Sequence, residues 1–265
     1  MRKDLPEVTI FAATAVALDA TVKALRASLD QVRFARAVLF SDRCPPSIQG
    51  TGIEWCRIAR IASKFDYSRF ILHELGSHIS TSHALCVQWD GYVLRGEAWK
   101  PEFLNCDYIG APWPHFSDGK KVGNGGFSLR SKRLLQATSE LPYDNSSPED
   151  VVVARIFRDR LEAQGIRFAS ESLARQFAYE RIPPNGEEFG FHGAFNLVRL
   201  IPAAEVLQIL KEIEPELLTR SEHQELLRWA IKNFRLRLAI AISSRLMKAG
   251  RARQLDLSAG KRRID

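Results

Sequence analysis

The chain predicts an α/β layer fold on three observations: nearly continuous apolar runs of strand length, helix-spaced apolar residues between them, and turn-forming residues where one pattern gives way to the other. Residues 8–15 form the first run, and residues 19–29 follow with Ala20, Val22, Leu25 and Leu29 at helical spacing. This is a β-α opening. Residues 35–40 read as a second buried strand ending at Ser41 and Asp42, and residues 53–58 as a third. Residues 67–79 place Phe70, Leu72, Leu75 and Ile79 on a helix that leads into a strand over 84–89, whose end carries Asp90. In open α/β sheets ligands gather at strand C-termini, so this is where a binding carboxylate belongs.

Residues 107–114 form a short strand entering a rigid turn, and residues 119–126 a loop before a short strand over 127–130. A helix is expected from Pro148 to about Gly165, with Glu149 and Asp150 in its first turn. Two short segments, 166–169 and 170–177, precede the cluster at 189–193. From about Leu200 the pattern is helical, and residues 222–247 are apolar on more than one face, so the chain divides into residues 1–200 and a basic helical extension, 201–265, with a mobile end over the last dozen residues.

At 265 residues and 45% hydrophobic content, the protein can bury a sizeable core. The N-terminus lacks the apolar stretch of a signal peptide, and no run approaches the ~20 apolar residues of a membrane span. The expected location is the cytoplasm. Cys44, Cys56, Cys86 and Cys106 have neither disulfide-framework nor zinc-site spacing, and read as free thiols. The net charge of +7 is uneven: residues 219–265 hold 12 Lys and Arg against 4 Asp and Glu, while the rest carries 26 against 27. Such a tail on a near-neutral body suggests docking on an acidic surface, including peripheral contact with the inner face of a membrane through 219–265 near Trp229, Phe234 and Arg235 to Arg237. A helical cap with a solvated face is the plain alternative. Nucleic-acid binding is disfavoured, because no helix-turn-helix or interleaved aromatic and basic motif accompanies the charge.

Four polar clusters in fixed order suggest a metal-dependent transferase: Gln88-Trp89-Asp90-Gly91, Gly123-Asn124-Gly125-Gly126, Pro148-Glu149-Asp150 and Phe189-Gly190-Phe191-His192-Gly193. A sugar nucleotide has a diphosphate leaving group, whose growing charge a divalent cation neutralises. Asp90 and His192 suit Mn2+ or Mg2+; the alternative is a turn cap and a packed loop histidine. Gly123, Gly125 and Gly126 allow positive φ and close approach of backbone to a donor, while Asn124 can bond sugar hydroxyls; the spacing is not that of a dinucleotide loop, and an ordinary glycine turn is the alternative. Attack by an acceptor hydroxyl needs a general base, for which Asp150 or Glu149 is placed, unless both only stabilise the helix start. Trp113, between Pro112 and Pro114, is either a stacking wall for a sugar or a core aromatic. His73, His78 and His83 step about 140° around a helix, so they share no face and are not a metal cluster.

These motifs, with Asp107-Tyr108-Ile109-Gly110-Ala111-Pro112-Trp113-Pro114 and the run from Val122 through Gly126 to Ser131, resemble a bacterial family of GT-A-like glycosyltransferase domains catalogued as a domain of unknown function. The resemblance covers roughly the first three-quarters of the chain. It implies a GT-A-like Rossmann-type α/β/α sandwich with a mixed central sheet, a nucleotide-sugar donor and inverting transfer of a hexose; the basic, apolar-rich tail points to a saccharide or lipid-linked acceptor of the cell envelope. The resemblance further implies Asp90 as the last acid of an Asp-x-Asp metal motif, residues 124–126 as the glycine loop, Asp150 as base and His192 as the late metal ligand. Gln88 departs from the pattern, standing where the first acid belongs. Arg69 is a candidate basic donor contact and Asp42 a candidate nucleoside contact. A carbohydrate-binding or scaffold protein that kept the fold without activity is the alternative, motivated by Gln88.

Overall fold

Strand β1 (Lys3–Ala13) lies in the middle of a six-stranded sheet, parallel to β2 (Val32–Ser41) on one side and β4 (His83–Cys86) on the other. β3 (Glu54–Arg57) extends the sheet in parallel beyond β2, whereas β6 (Ser128–Ser131) joins β4 antiparallel and β5 (Tyr108–Gly110) closes the other edge antiparallel to β6. The order is β3-β2-β1-β4-β6-β5. It reverses direction between β1 and β4, and a crevice opens beyond strand C-termini at such a switch point.

Side chains alternate across a strand, so β1 feeds two cores. Ile10 and Ala12 pack with Val22 and Leu25 of α1 (Leu18–Gln31), while Phe11 and Ala13 pack with Phe70, Ile71 and Leu75. The latter three belong to a π-helical turn (Phe70–Glu74) and α3 (Leu75–His78), which continue α2 (Lys64–Arg69) without a break in the helical backbone. Burial on both faces explains why β1 reads as a continuous apolar run. This is a Rossmann-type α/β fold with the mixed central sheet expected from the sequence.

Several elements differ from expectation. β1 starts well before residue 8, with its register shifting between Leu5 and Thr9 around Pro6, which has no N–H to donate. β4 stops at Cys86. Helix α4 (Lys132–Ser139), too short and too charged at its start for a periodicity reading, is capped by the Ser131 hydroxyl accepting from the Leu134 N–H. The helix expected from Pro148 is α5 (Glu149–Val151), a π-helical turn (Val152–Ile156) and α6 (Arg158–Ala163). Residues 170–177 are mostly α7 (Glu171–Phe177), followed by a two-stranded parallel sheet of β7 (Ala178–Tyr179) and β8 (Gly190–Phe191).

The structure, a computed structural model, describes residues 2–261 in two compact units that divide between Gly193 and Ala194. The second contains α8 (Ala194–Leu197), α9 (Ala203–Glu212), α10 (Arg220–Lys232) and α11 (Leu236–Lys261). The run 222–247 is therefore two helices, broken at Asn233, Phe234 and Arg235. Residues 262–265 of the expected mobile end lie outside the described residues. Among the described residues no helix is long and apolar enough to cross a membrane.

Gly110 of β5 lies directly under the glycine loop: a Cβ there would overlap the carbonyl oxygen of Gly123 and approach that of Asn124 to 2.6 Å. Both neighbours are backbone and cannot rotate away. Gly110→Ala is expected to destabilise the protein by about 3 kcal/mol, read as a lowered urea midpoint at unchanged m-value.

Candidate functional site

Beyond β4 the chain makes a tight turn in which Gln88 and Gly91 exchange backbone hydrogen bonds of 3.0 Å, placing Trp89 and Asp90 at its tip. Asp90 thus sits on a turn rather than at the end of a strand, still at the carboxyl edge of β4. Residues 92–95 then run back along residues 189–191, with Leu94 N–H donating to the Phe189 carbonyl and Phe191 N–H to that of Tyr92. The Gly193 N–H donates to the Asp90 carbonyl at 2.9 Å, so the turn and the segment after β8 are fixed to each other.

The parallel register of β7 and β8 pairs Tyr179 with Phe191, so the next residues, Glu180 and His192, emerge side by side. His192 Nδ1 lies 3.2 Å from Glu180 Oε1 and 3.1 Å from Asn124 Nδ2; its Nε2 lies 3.2 Å from Gln88 Oε1 and 3.6 Å from Asp90 Oδ1. Asn124 has its amide orientation fixed, because its Oδ1 accepts from the N–H groups of Gly126 and Phe127. The Gln88 amide is fixed as well, with Nε2 donating to the Tyr67 hydroxyl. Nδ1 stands between an acceptor, the Glu180 carboxylate, and a donor, the Asn124 amide nitrogen; in the tautomer whose Nδ1 proton serves Glu180, the Nε2 lone pair faces the oxygens of Gln88 and Asp90, which can only accept. Burial raises the Glu180 carboxyl, but its bonds to His192 and Asn124 outweigh this and hold its pKa below the usual value.

Those contacts fit a cation at Nε2. The donor set is one imidazole nitrogen, one carboxylate and one neutral amide carbonyl, and a carboxylate on the far nitrogen is the arrangement that orients metal-bound histidines. Among the described residues no three His, Cys, Asp or Glu side chains gather as a ligand group, so a site here would depend on Gln88 and on ligand oxygens from a substrate.

The glycine loop serves packing. The residue with positive φ is Asn124, at 68°, not a glycine. A Cβ on Gly126 would overlap the His192 ring, and one on Gly125 the Glu149 carboxylate. Trp113 is only 7% exposed, its ring lying against Gly123. It is floor beneath the loop, in keeping with the core-aromatic reading rather than that of a stacking wall.

Below the loop, Arg130 of β6 and Glu149 are 1% and 2% exposed. One guanidinium nitrogen, Nη2, donates to both Glu149 oxygens at 2.9 and 2.8 Å, Nε donates to Ser128 Oγ, and the guanidinium stands 5.2 Å from the Tyr108 ring centre. Burial opposes the Arg130 charge, but Glu149 and neighbouring groups more than restore it. Glu149 therefore has no face for an acceptor, which corrects its place among the candidate bases. Asp150 is half-buried at the start of α5, its Oδ2 accepting from Gly125 N–H at 3.1 Å and its Oδ1 from Val151 N–H at 2.8 Å. Burial raises its pKa above the ordinary aspartate value, against those two donors.

The remaining candidates are less concentrated. Asp42 follows β2 at the same carboxyl edge as Asp90 and has one buried oxygen, Oδ1, with no hydrogen-bond partner. Arg69, on α2, donates to Asn145 Oδ1. Cys86 is a buried free thiol pushed up to about 11 by burial, with no nucleophilic character. Sequence reasoning missed Glu180, which stands beside Arg181 and reads as surface charge; only the pairing of β7 with β8 brings it to His192. It also missed the chain from Gln88 to Tyr67 and Cys86 that holds the turn.

Burial raises the Glu149 carboxyl to about 7 even beside Arg130, so removing one member of the pair leaves the other desolvated without its partner. Arg130→Met is expected to cost about 3–5 kcal/mol in chemical denaturation, and Arg130→Met/Glu149→Leu together to recover much of it.

The site can be set beside known proteins. No curated protein sequence matches the chain. Among solved structures, the apo-form glycosyltransferase GlyE of Streptococcus pneumoniae TIGR4 is similar at 13% identity and a TM-score of 0.42, over 71% of this chain and 54% of GlyE. The match thus spans about half the length of GlyE. The mannosyltransferase PcManGT of Pyrobaculum calidifontis, in complex with GDP-Man and Mn2+, is similar at 10% identity and a TM-score of 0.44, over 98% of this chain and 80% of the other. Residues 53–192, which run from β3 through the turn at Asp90, the glycine loop and Asp150 to His192, match the model of one family over slightly more than half of the chain, and the protein belongs to that family, described as Protein of unknown function (DUF5672).

Proposed function

We propose that the protein is a glycosyltransferase moving a sugar, of the hexosyl class, from a nucleotide donor to a hydroxyl of a saccharide or lipid-linked acceptor of the cell envelope. The observation that carries this reading is the environment of His192, whose Nε2 lies 3.2 Å from Gln88 Oε1 and 3.6 Å from Asp90 Oδ1 at the switch point of the sheet. Asp90, His192 and the Gln88 carbonyl would hold a divalent metal, Mn2+ or Mg2+, which when bound neutralises charge on a departing diphosphate. Asp42, with its unpartnered buried oxygen, is assigned to the nucleoside, and Arg69 to the diphosphate. The loop of Gly123, Asn124, Gly125 and Gly126 lines the donor side, keeping His192 and Asp150 in fixed relation through its packing and the Gly125 N–H.

Asp150 is the general base. It takes the acceptor's hydroxyl proton while the oxygen bonds to the anomeric carbon and the bond from that carbon to the diphosphate oxygen breaks, giving inversion. The two backbone donors on Asp150 fix the carboxylate without providing a counter-charge that would abolish its basicity. Glu149 is a positioning residue that anchors the turn carrying Asp150 to Arg130 and, through its N–H, to Ser68 Oγ at 3.1 Å. The neutral Gln88 favours a second reading, a carbohydrate-binding scaffold on the same fold.

Thermal-shift measurements with UDP-, GDP-, CMP- and dTDP-sugars, each with Mn2+, Mg2+ or EDTA, are expected to show stabilisation by one nucleotide class that needs metal and is lost in Asp90→Ala; donor binding with no turnover on any acceptor would establish the scaffold instead. Asp150→Asn is expected to lower kcat by about 10²–10⁴ while donor binding persists. Because the base must be deprotonated and burial raises its pKa, kcat/KM should fall with decreasing pH at a value above that of an ordinary aspartate. Glu180→Gln is expected to weaken Mn2+ binding by about 10–100-fold in calorimetric titration, with little change in thermal stability.

A further inference from the structure

Seven consecutive residues at the junction of α10 and α11, Ile231 to Arg237, are all exposed. Three are large and apolar, Ile231, Phe234 and Leu236, and three are basic, Lys232, Arg235 and Arg237. Phe234 is 87% exposed and has φ of 54°, a left-handed conformation that costs a bulky residue energy and turns the chain between the helices. Ile240 continues the apolar surface, one helical turn after Leu236 on the same face of α11. The helical pair has apolar residues of its own for packing, Leu226, Ala230, Leu238 and Ile242, all buried. The outer residues are therefore surplus to the fold of this unit.

The charge pattern identifies what would cover them. Residues 226–255 contain eight Lys and Arg and no Asp or Glu. Alongside lies an open cleft of about 580 Å³ between α8 and α10, where Arg199, Arg228 and Lys232 surround Phe195 and Trp229, with Glu225 as its acid. A second copy of this chain would bring like charge against like charge, whereas an anionic bilayer offers apolar depth for the tip and phosphates for the cations. The absence of a described helix able to cross a membrane fits a surface that lies on the bilayer.

We infer that the C-terminal unit docks on anionic lipid, with Phe234, Leu236 and Ile240 entering the acyl boundary and Arg199, Arg228 and Lys232 holding a lipid phosphate in the cleft. This goes beyond sugar transfer, since none of these residues belongs to the donor site. Docking would bring the first unit to acceptors anchored in the same leaflet.

The test is co-sedimentation of the full chain with vesicles of phosphatidylcholine alone and of phosphatidylcholine with phosphatidylglycerol. Binding is expected only to the second, and to weaken as salt is raised. Phe234→Ser/Leu236→Ser and, separately, Arg228→Glu/Lys232→Glu are each expected to reduce binding at least tenfold; both pairs are exposed, and unchanged circular dichroism would show that the fold is kept. Equal sedimentation with both vesicle types, no binding to either, or variants that bind like the parent would overturn the inference. So would a dimer in size-exclusion chromatography that Phe234→Ser/Leu236→Ser dissolves, which would assign the apolar tip to a second copy. Donor binding measured on the same variants should be unchanged, so failure of docking and failure of the transferase reading are separable.

Discussion

A guanidinium buried under a glycine loop is the constraint on which the candidate site depends. Arg130 enters from β6, an interior strand next to the edge of the sheet, and meets Glu149 with almost no exposure of either. Water cannot solvate either charge, so each is tolerable only with the other in place. The pair therefore fixes the start of α5 against the sheet, and Asp150 is fixed as the next residue. Gly125 must lack a side chain because the Glu149 carboxylate occupies the space its Cβ would need. Its N–H is then free to donate to Asp150. A structural ion pair and a half-buried carboxylate outside it are adjacent in sequence, and their different roles follow from which one faces Arg130.

His192 is held by a different means. Gly91 and Gly126 leave the slot into which the imidazole fits, since a Cβ on the first would come within 2.8 Å of Cδ2 and one on the second would overlap the ring. Glu180 and Asn124 act on one nitrogen, Gln88 and Asp90 on the other. Gln88 adds a neutral carbonyl oxygen to the set, aimed at Nε2. Tyr67 keeps that oxygen aimed by accepting from the amide nitrogen, and the hydroxyl in turn contacts Cys86 at the end of β4. The core of the sheet and the orientation of a site residue are thereby connected through three side chains.

The C-terminal unit follows another logic. Its two longer helices pack through alternate apolar positions, leaving an apolar and basic surface where the chain turns between them. In the sequence this region is a run with apolar residues on more than one face, a pattern that fits a doubly buried helix equally well. The break at Phe234 decides between the two by ending the helix and turning one set of residues outward.

Sequence alone determined the layer architecture, because burial on both faces of β1 and β2 leaves continuous apolar runs and burial on one side of α1 leaves a helical stripe. It also determined the chemical content of the site, since a carboxylate after an apolar strand, an isolated histidine and a glycine loop are local patterns. Tertiary structure decided the roles. Glu149 and Asp150 are indistinguishable as neighbours in a chain, and only the approach of Arg130, 19 residues away, separates a buried anchor from a candidate base. Glu180 meets His192 because two strands of two residues each pair in parallel, an association too short to leave a periodic signal. Trp113 became floor instead of wall because Gly123 approaches it from elsewhere in the fold. Local patterns record which side chains are present and which face is apolar; long-range packing sets which of them are desolvated and which partner each one meets.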